Sequence, residues 1–208
     1  MALPKIGILT YPGAYYAGDI EIVDIGMPVN IIDDEDIKCE TIERDFIKGK
    51  LKKRAGNSHK GTFGHLLVLA GSVGKTGAAA MTCLGAMRVG TGLVTLGIPK
   101  SLNPIMEQKL TEVMTEPLPE TELNMLGDVS YKRIKTISED KQAIAIGPGL
   151  TAGEPVKKLV TRLIEESAIP LVIDADAVNV LKGNPNLLKK AKAPIILTPH
   201  PGEFSRLV

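Results

Sequence analysis

A glycine-rich turn that contains a lysine and a threonine is the clearest candidate for chemistry in this sequence. Gly71, Gly74 and Gly77 fall within seven residues, and Lys75 and Thr76 lie between them. Glycine admits positive φ angles and lets a ligand come close to the backbone. When such a turn opens onto a helix, the N–H groups and the dipole of the helix favour an anion. The turn therefore predicts an anion site.

The same turn matches a phosphate-binding P-loop only in part. Gly74, Lys75 and Thr76 reproduce the end of that pattern, which also requires a glycine five residues before the last one. Leu69 occupies that position, and Gly71 comes two residues too late. A P-loop NTPase stays a minor alternative, in which the lysine would be essential for nucleotide binding.

Three other apolar runs also end in residues that could contact a ligand. Each has a structural alternative: a plain turn for the glycine pair, helix capping for an aspartate, and packing for the histidine. We favour ligand contact for the glycine pair and the histidine. For the aspartates, helix capping and a ligand or metal role are equally supported. The candidate residues are Gly147 and Gly149; Asp174, Asp176 and Asn179; and His200 with Glu203.

The apolar runs themselves predict buried β-strands. Runs without charge suit strands that are covered on both faces of a parallel sheet. Helical patterns separate them, which implies right-handed βαβ units with helices on both faces. In such folds ligands bind beyond the carboxyl ends of the strands, where the polar signatures lie. The predicted strands cover residues 66–71, 92–98, 142–146, 170–174 and 194–198, with a short one at 113–115.

The predicted helices carry more specific expectations. The helix over residues 78–89 is rich in Ala, Met and Leu and has one charge, so we expect it to be buried. Thr151 and Glu154 are spaced as a capping box for the next long helix. Shorter helices are expected at 103–110, within 116–140 and from 175. The long helix should bury the stripe Val156, Leu159, Val160, Leu163 and Ile164.

The first sixty residues have a weaker pattern. Residues 6–9 and 20–25 are predicted to be two strands joined by a loop. Residues 48–60 are rich in basic side chains, and we interpret them as a solvated connection. In the alternative interpretation, Arg54, His59 or Lys60 contacts a ligand phosphate.

Composition gives no sign of a nucleic-acid or membrane partner. The 208 residues carry a net charge of +1, so nothing attracts the chain as a whole to nucleic acid or to an anionic membrane. No apolar run reaches the roughly 18 residues of a membrane span, and no secretory signal is recognised. Cys39 and Cys83 have neither metal nor redox spacing. We expect reduced thiols in a cytoplasmic protein.

Five motifs in order resemble the ADP/ATP-dependent NAD(P)H-hydrate dehydratases. They are residues 59–64, 71–72 with 76–78, 147–150, 173–176 and 197–204. The opening segment resembles the last strands of the NAD(P)H-hydrate epimerase domain, which precedes the dehydratase in bifunctional bacterial enzymes. The resemblance therefore assigns residues 1–45 to the tail of an epimerase-like domain with a linker, and residues 46–208 to the dehydratase domain.

This resemblance implies a ribokinase-like, three-layer α/β/α fold with a mostly parallel sheet. It implies metabolite repair, in which ADP or ATP drives dehydration of hydrated NADH or NADPH back to NAD(P)H. Ala78, Gly149 and His200 would contact the hydrated dinucleotide, and Gly77 and Gly147 would shape the turns that admit it. The resemblance implies Mg²⁺ with the nucleotide, assigns no metal ligand in this chain, and favours a homo-oligomer at full length.

The chain departs from the family at its end. The family's catalytic Asp lies in a glycine-rich segment toward the C-terminus, and a Lys-Gly stretch before it contacts the nucleotide donor. Both would lie beyond Val208, so we expect an internal fragment that is incomplete at the C-terminus, poorly soluble and inactive by itself. The alternatives are a ribokinase-like sugar or vitamin kinase and, outside the enzymes, a degenerate domain kept for assembly.

Overall fold

Six parallel strands form the centre of Ala55–Val208, the larger of the two units into which the chain divides. In the computed structural model, which describes residues 3–33, 36, 39–51 and 53–208, the strand order is β3-β2-β1-β4-β5-β6. Every neighbouring pair is parallel. The strands are β1 His65–Leu69, β2 Leu93–Pro99, β3 Met114–Leu118, β4 Ala143–Ile146, β5 Leu171–Ile173 and β6 Ile195–Leu197.

Ten α-helices accompany these strands in the described ranges. The smaller unit, Met1–Arg54, holds α1 Ile6–Leu9, α2 Gly13–Tyr16, α3 Val29–Ile32 and α4 Arg44–Lys50. The larger unit holds α5 Thr76–Val89, α6 Asn103–Lys109, α7 Tyr131–Ser138, α8 Glu154–Glu166, α9 Asp176–Asn179 and α10 Pro201–Leu207. Short 3₁₀ helices lie at Lys60–Phe63, Lys100–Leu102, Asp128–Ser130 and Pro185–Lys190.

The central strand β1 shows that both faces of the sheet are covered. Its side chains alternate between faces: Leu67 and Leu69 belong to one buried cluster, and Val68 belongs to the other. The first cluster includes the inner sides of α7, α8 and α9, and the second includes those of α5 and α6. The predicted three-layer α/β/α architecture is confirmed.

Helix α8 confirms the predicted apolar stripe but not the predicted cap. Val156, Leu159, Val160, Leu163 and Ile164 are all buried. The N-cap is Gly153, and no side chain caps the helix. Thr151 lies two residues before that cap, so the capping-box prediction is wrong. Its hydroxyl bonds a different loop instead.

The expectation that α5 is buried is also wrong. Ala79, Ala80 and Cys83 face the sheet and are buried. The opposite side is open, with Met81 71% and Val89 76% exposed. A sheet face covers only one side of a helix that lies on it, and apolar composition alone does not say whether a second layer follows.

The edge strand β3 is longer than the sequence indicates. It continues through Pro117 to Leu118, whereas the predicted strand ends at residue 115. Proline lacks an N–H group and is tolerated on an edge strand, where one row of backbone groups has no ladder partner. A breaker residue therefore did not end this strand.

The two strands predicted in the first unit are wrong. Residues 6–9 form a single helical turn, and residues 20–25 are outside any strand. A run of four apolar residues does not distinguish a helix from a strand by its period. An extended segment also needs a neighbour for its backbone groups, and the described part of this unit contains no strand.

Helix length and polarity also bear on membranes. Within the ranges that the structure describes, no helix is long and apolar enough to cross a bilayer.

The orientation of α8 can be tested by substitution. Leu159→Ala should destabilise the larger unit by about 2–5 kcal/mol, because removing a fully buried leucine leaves a cavity. Lys158→Ala, on the exposed side of the same helix, should change the free energy of unfolding by less than about 0.5 kcal/mol. Urea unfolding followed by circular dichroism measures both values. Equal losses for the two variants would contradict this orientation.

The two cysteines should differ in reactivity. Burial raises the pKa of the Cys83 thiol to about 12, whereas Cys39 is exposed. The thiolate is the reactive form, so iodoacetamide at mildly alkaline pH should modify Cys39 in the folded protein and Cys83 only after unfolding. Peptide mass spectrometry reads out both sites. Equal labelling rates in the native protein would show that the inner side of α5 is open.

Candidate functional site

The strand order places a topological switch point between β1 and β4, and we call the space beyond it the crevice. The chain leaves β1 toward β2 on one side, and β4 lies on the other side, so the connections diverge at this point. In open α/β sheets, such a switch point is where ligands bind, beyond the carboxyl ends of the strands. The loop after β1 contains Gly71, and the loop after β4 contains Gly149. Both predicted glycine turns therefore lie at this switch point.

The two loops are joined backbone to backbone. The Gly71 N–H donates to the carbonyl of Pro148 at 2.9 Å, and the Gly147 N–H donates to the carbonyl of Leu69 at 3.2 Å. These bonds extend the β1–β4 pairing past the end of the strands. They fix the separation of the two loops that form the crevice.

Gly149 packs against the beginning of α5. Its φ is +69°, and a Cβ there would lie 3.0 Å from the Lys75 carbonyl oxygen and 3.1 Å from the Ala78 Cβ. A side chain at this position would strain the backbone and press on the helix start. The structure therefore brings together Gly149 and Ala78, two of the residues predicted to contact the ligand.

Gly147 allows the next loop to come even closer. Its φ is +136°, and a Cβ would fall 1.7 Å from the Asp174 carbonyl oxygen. Its role is thus to let the loops after β4 and β5 touch through their backbones, and the Asp174 side chain is half-buried beside this contact.

Gly77 has a different place from the one expected. It lies in the first turn of α5, where N–H groups lack intrahelical acceptors, and not in the preceding turn. A Cβ at Gly77 would meet nothing within 4 Å. The glycine leaves open space at the start of the helix.

A set of side-chain hydrogen bonds, which sequence reasoning missed, connects the loops. The buried Ser72 hydroxyl donates to the Gly149 carbonyl at 2.7 Å and lies 2.8 Å from the Thr151 hydroxyl. The Thr151 N–H donates to Asp176 Oδ2 at 2.9 Å. The available signal was Ser72 itself, which is a polar residue directly after a buried strand.

The aspartate motif is used within the protein. Ala175 is the N-cap of α9, and no side chain caps this helix, so the capping alternative for the aspartates is wrong. Asp176 Oδ2 instead bonds Thr151 and lies 3.5 Å from Lys75 Nζ. Asn179 Oδ1 accepts a hydrogen bond from Arg206 Nε at 3.0 Å, which ties α9 to α10.

His200 lies beyond the end of β6, on the same edge of the sheet, and caps α10. Its Nδ1 accepts from the Gly202 N–H at 3.0 Å and from the Glu203 N–H at 3.4 Å. Glu203 returns a bond from the His200 N–H to Oε2 at 2.9 Å. The buried glutamate is thus part of a capping box. The imidazole is 62% exposed, and its Nε2 lies 3.3 Å from Glu203 Oε1.

The alternative in which the basic segment reaches the crevice is wrong for Lys60. Residues 60–64 pack at the start of β2, because the Gly92 N–H bonds the Phe63 carbonyl and the Leu93 N–H bonds the Gly64 carbonyl. That is the amino edge of the sheet. The seven residues of β2 separate it from the crevice by roughly 20 Å.

We also examined the positions of side chains that could bind a metal ion. Among the residues that the structure describes, no group of three or more His, Cys, Asp or Glu side chains is placed to hold a metal ion.

Comparison with known proteins identifies relatives of this chain. A sequence profile of the NAD(P)H-hydrate dehydratase family matches residues 66–208. The bifunctional NAD(P)H-hydrate repair enzyme Nnr of Moorella thermoacetica is 35% identical over 207 residues, which are 100% of this chain and 39% of that protein.

Solved structures agree with this profile. The ADP/ATP-dependent NAD(P)H-hydrate dehydratase of Bacillus subtilis, co-crystallised with ATP and Mg²⁺, is 34% identical with a TM-score of 0.62, covering 79% of this chain and 54% of that one. A ribokinase-like superfamily protein of Enterococcus faecalis is 21% identical with a TM-score of 0.60, covering 74% and 51%, and shows the fold alone. The chain thus spans about half or less of the proteins that it resembles.

The profile covers well over half of the sequence, including both glycine turns, the aspartate motif and His200. These comparisons confirm the resemblance and the ribokinase-like fold that the motifs implied. The chain belongs to the NAD(P)H-hydrate dehydratase family.

Proposed function

We propose that this chain supplies the substrate crevice of an enzyme that dehydrates hydrated NADH or NADPH with ADP or ATP as phosphate donor. The observation that carries the proposal is the contact of Gly149 with the start of α5 at the switch point of the sheet. Phosphorylation of the hydroxyl on the hydrated nicotinamide ring makes it a better leaving group. Loss of this group as phosphate, together with a proton from the adjacent ring carbon, restores the double bond of NAD(P)H, which is a repair reaction.

The crevice suits an anionic dinucleotide. Backbone N–H groups at the start of α5 and the helix dipole favour the negative charge of a diphosphate. Ala78 and Gly149 present a wall with little side-chain volume, so a flat ligand can lie close to the backbone. His200, exposed at the same edge of the sheet, supplies a polar contact. Gly147 acts on the substrate only through the loop that it shapes.

The described residues do not fit a resident Mg²⁺ ion. They contain no cluster of carboxylates placed to hold one, and Asp176 Oδ2 already accepts the Thr151 N–H. The Bacillus subtilis relative was crystallised with ATP and Mg²⁺ together. We therefore propose ADP or ATP with Mg²⁺ as co-substrate and assign no metal ligand in this chain.

The bifunctional relative also supports a proposal for the protein in which this chain occurs. We propose that residues 1–45 are the end of an NAD(P)H-hydrate epimerase domain and that residues 46–208 belong to the dehydratase domain. Such a protein would act in the cytoplasm as a homo-oligomer, without nucleic acid or membrane partners. The Moorella thermoacetica relative, which aligns along the whole chain, supports this arrangement.

Substitution of His200 separates its two roles. Asn is a strong N-cap residue, so His200→Asn should keep α10 and the melting temperature while it removes the imidazole. We expect the Kd for hydrated NADPH to rise roughly tenfold, the loss of about one good hydrogen bond. Lys189→Ala, an exposed change in the Pro185–Lys190 helix, is the control and should leave Kd unchanged.

Calorimetric titration at equal protein concentrations measures these affinities. An unchanged Kd in His200→Asn would remove this residue from the substrate site. A rise in Kd accompanied by a matching fall in the melting temperature would assign His200 to capping alone.

The reaction itself is tested by the return of absorbance of the reduced nicotinamide. The 208-residue chain and a form extended to the length of the relatives are each given hydrated NADPH with ADP or ATP. The extended form should restore NADPH in a nucleotide-dependent reaction. Phosphate transfer to hydroxymethylpyrimidine or pyridoxal, without restored NADPH, would instead establish the vitamin-kinase alternative.

A further inference from the structure

Two strained residues lie in the loops after β4 and β5, beside the crevice. Thr151 has a φ of +69° and Ala175 a φ of +50°, and among the described residues the remaining non-glycine residue with positive φ is Asn124. Positive φ is a genuine outlier for a β-branched residue such as threonine. Strain of this kind persists where the surroundings over-determine the backbone, and it clusters at functional sites.

Hydrogen bonds from two other loops hold Thr151 in this conformation. Its N–H donates to Asp176 Oδ2 at 2.9 Å. The single proton of the Ser72 hydroxyl goes to the Gly149 carbonyl at 2.7 Å, so the Thr151 hydroxyl donates in the 2.8 Å contact with Ser72. Thr151 thus connects the loops that follow β1, β4 and β5.

Asp176 is the charged member of this connection. Its side chain is 20% exposed, and it bonds another loop although it lies at the start of its own helix. Hydrogen bonds to charged groups are stronger than neutral ones. The carboxylate therefore opposes the preference of Thr151 for negative φ. Lys75 Nζ, at 3.5 Å, makes a half-exposed ion pair, which contributes little by comparison.

We infer that Asp176 is a positioning residue of the substrate crevice. It holds Thr151 in the left-handed conformation, and Thr151, through Ser72, holds the Gly149 carbonyl and the loop that faces Ala78. Asp176 acts on the substrate through these residues and does not touch it. The effect on substrate rests on the proposed function, whereas the effect on the loop does not.

The experiment compares three changes in two readouts. Asp176→Ala removes the acceptor, Asp176→Asn keeps a neutral acceptor, and Lys75→Met removes only the ion pair. Hydrogen exchange of the Thr151 amide reports on the loop in the 208-residue chain. KM and kcat for hydrated NADPH report on the crevice in the extended form, with the exposed Glu112→Ala as control.

We expect the Thr151 amide to exchange roughly tenfold faster or more in Asp176→Ala and to stay protected in Lys75→Met. KM should rise roughly tenfold in Asp176→Ala while kcat changes far less, and Asp176→Asn should recover part of the loss. Glu112→Ala should match the unchanged protein in both constants.

Several results would overturn this inference. Retained protection of the Thr151 amide in Asp176→Ala would show that the carboxylate does not hold the loop. Faster exchange with an unchanged KM would limit Asp176 to a structural role. If the unchanged extended form does not turn over hydrated NADPH, the proposed function fails, and the exchange result still decides whether Asp176 fixes the loop.

Discussion

Backbone-to-backbone contact between the loops at the carboxyl edge of the sheet is the constraint on which the site depends. The loops after β1, β4 and β5 approach so closely that a Cβ at Gly147 would lie 1.7 Å from the Asp174 carbonyl oxygen. Such an approach requires glycine, and it leaves main-chain N–H and C=O groups to line the crevice. A crevice that is lined by main-chain groups and by the start of a helix can bind an anionic, planar ligand, and it needs no large side chains to do so.

The central strands of the sheet could be predicted because they are covered on both faces. A strand of this kind is an uninterrupted apolar run, and it stands out in the sequence even without alternation. The stripe of α8 was equally visible, since five apolar residues at helical spacing leave one interpretation. Pro117 misled because β3 is an edge strand, a property that depends on where the strand lies in the finished sheet.

Local signals failed where a distant partner decides the outcome. Thr151 and Glu154 have the spacing of a capping box, but the threonine bonds Ser72, 79 residues away, and Asp176, 25 residues away. The outer side of α5 is apolar yet exposed, because the apolar composition of a helix does not say whether another layer packs on its outer side. Residues 6–9 are too few for a period to choose between helix and strand.

The candidate site shows the same division. The glycine turns and His200 were recognisable because strand ends of a parallel sheet meet at one edge. The hydrogen bonds of the polar residues could not be predicted in this way. Glu203 accepts the His200 N–H in the capping box of α10, Asn179 bonds Arg206, and Asp176 bonds Thr151. The sequence does carry a signal for the capping box, because Pro201 follows His200 at the first helical position, where proline favours a helix start.

The central claim is that the hydrated dinucleotide binds in one crevice and contacts three separate segments of the chain there. Titration of hydrated NADPH into the isotope-labelled chain, followed by amide chemical shifts, tests it most directly. The amides of Ala78, Gly149 and His200 should shift together and saturate with a single Kd. Shifts confined to one of these loops, or separate dissociation constants for them, would contradict a shared crevice.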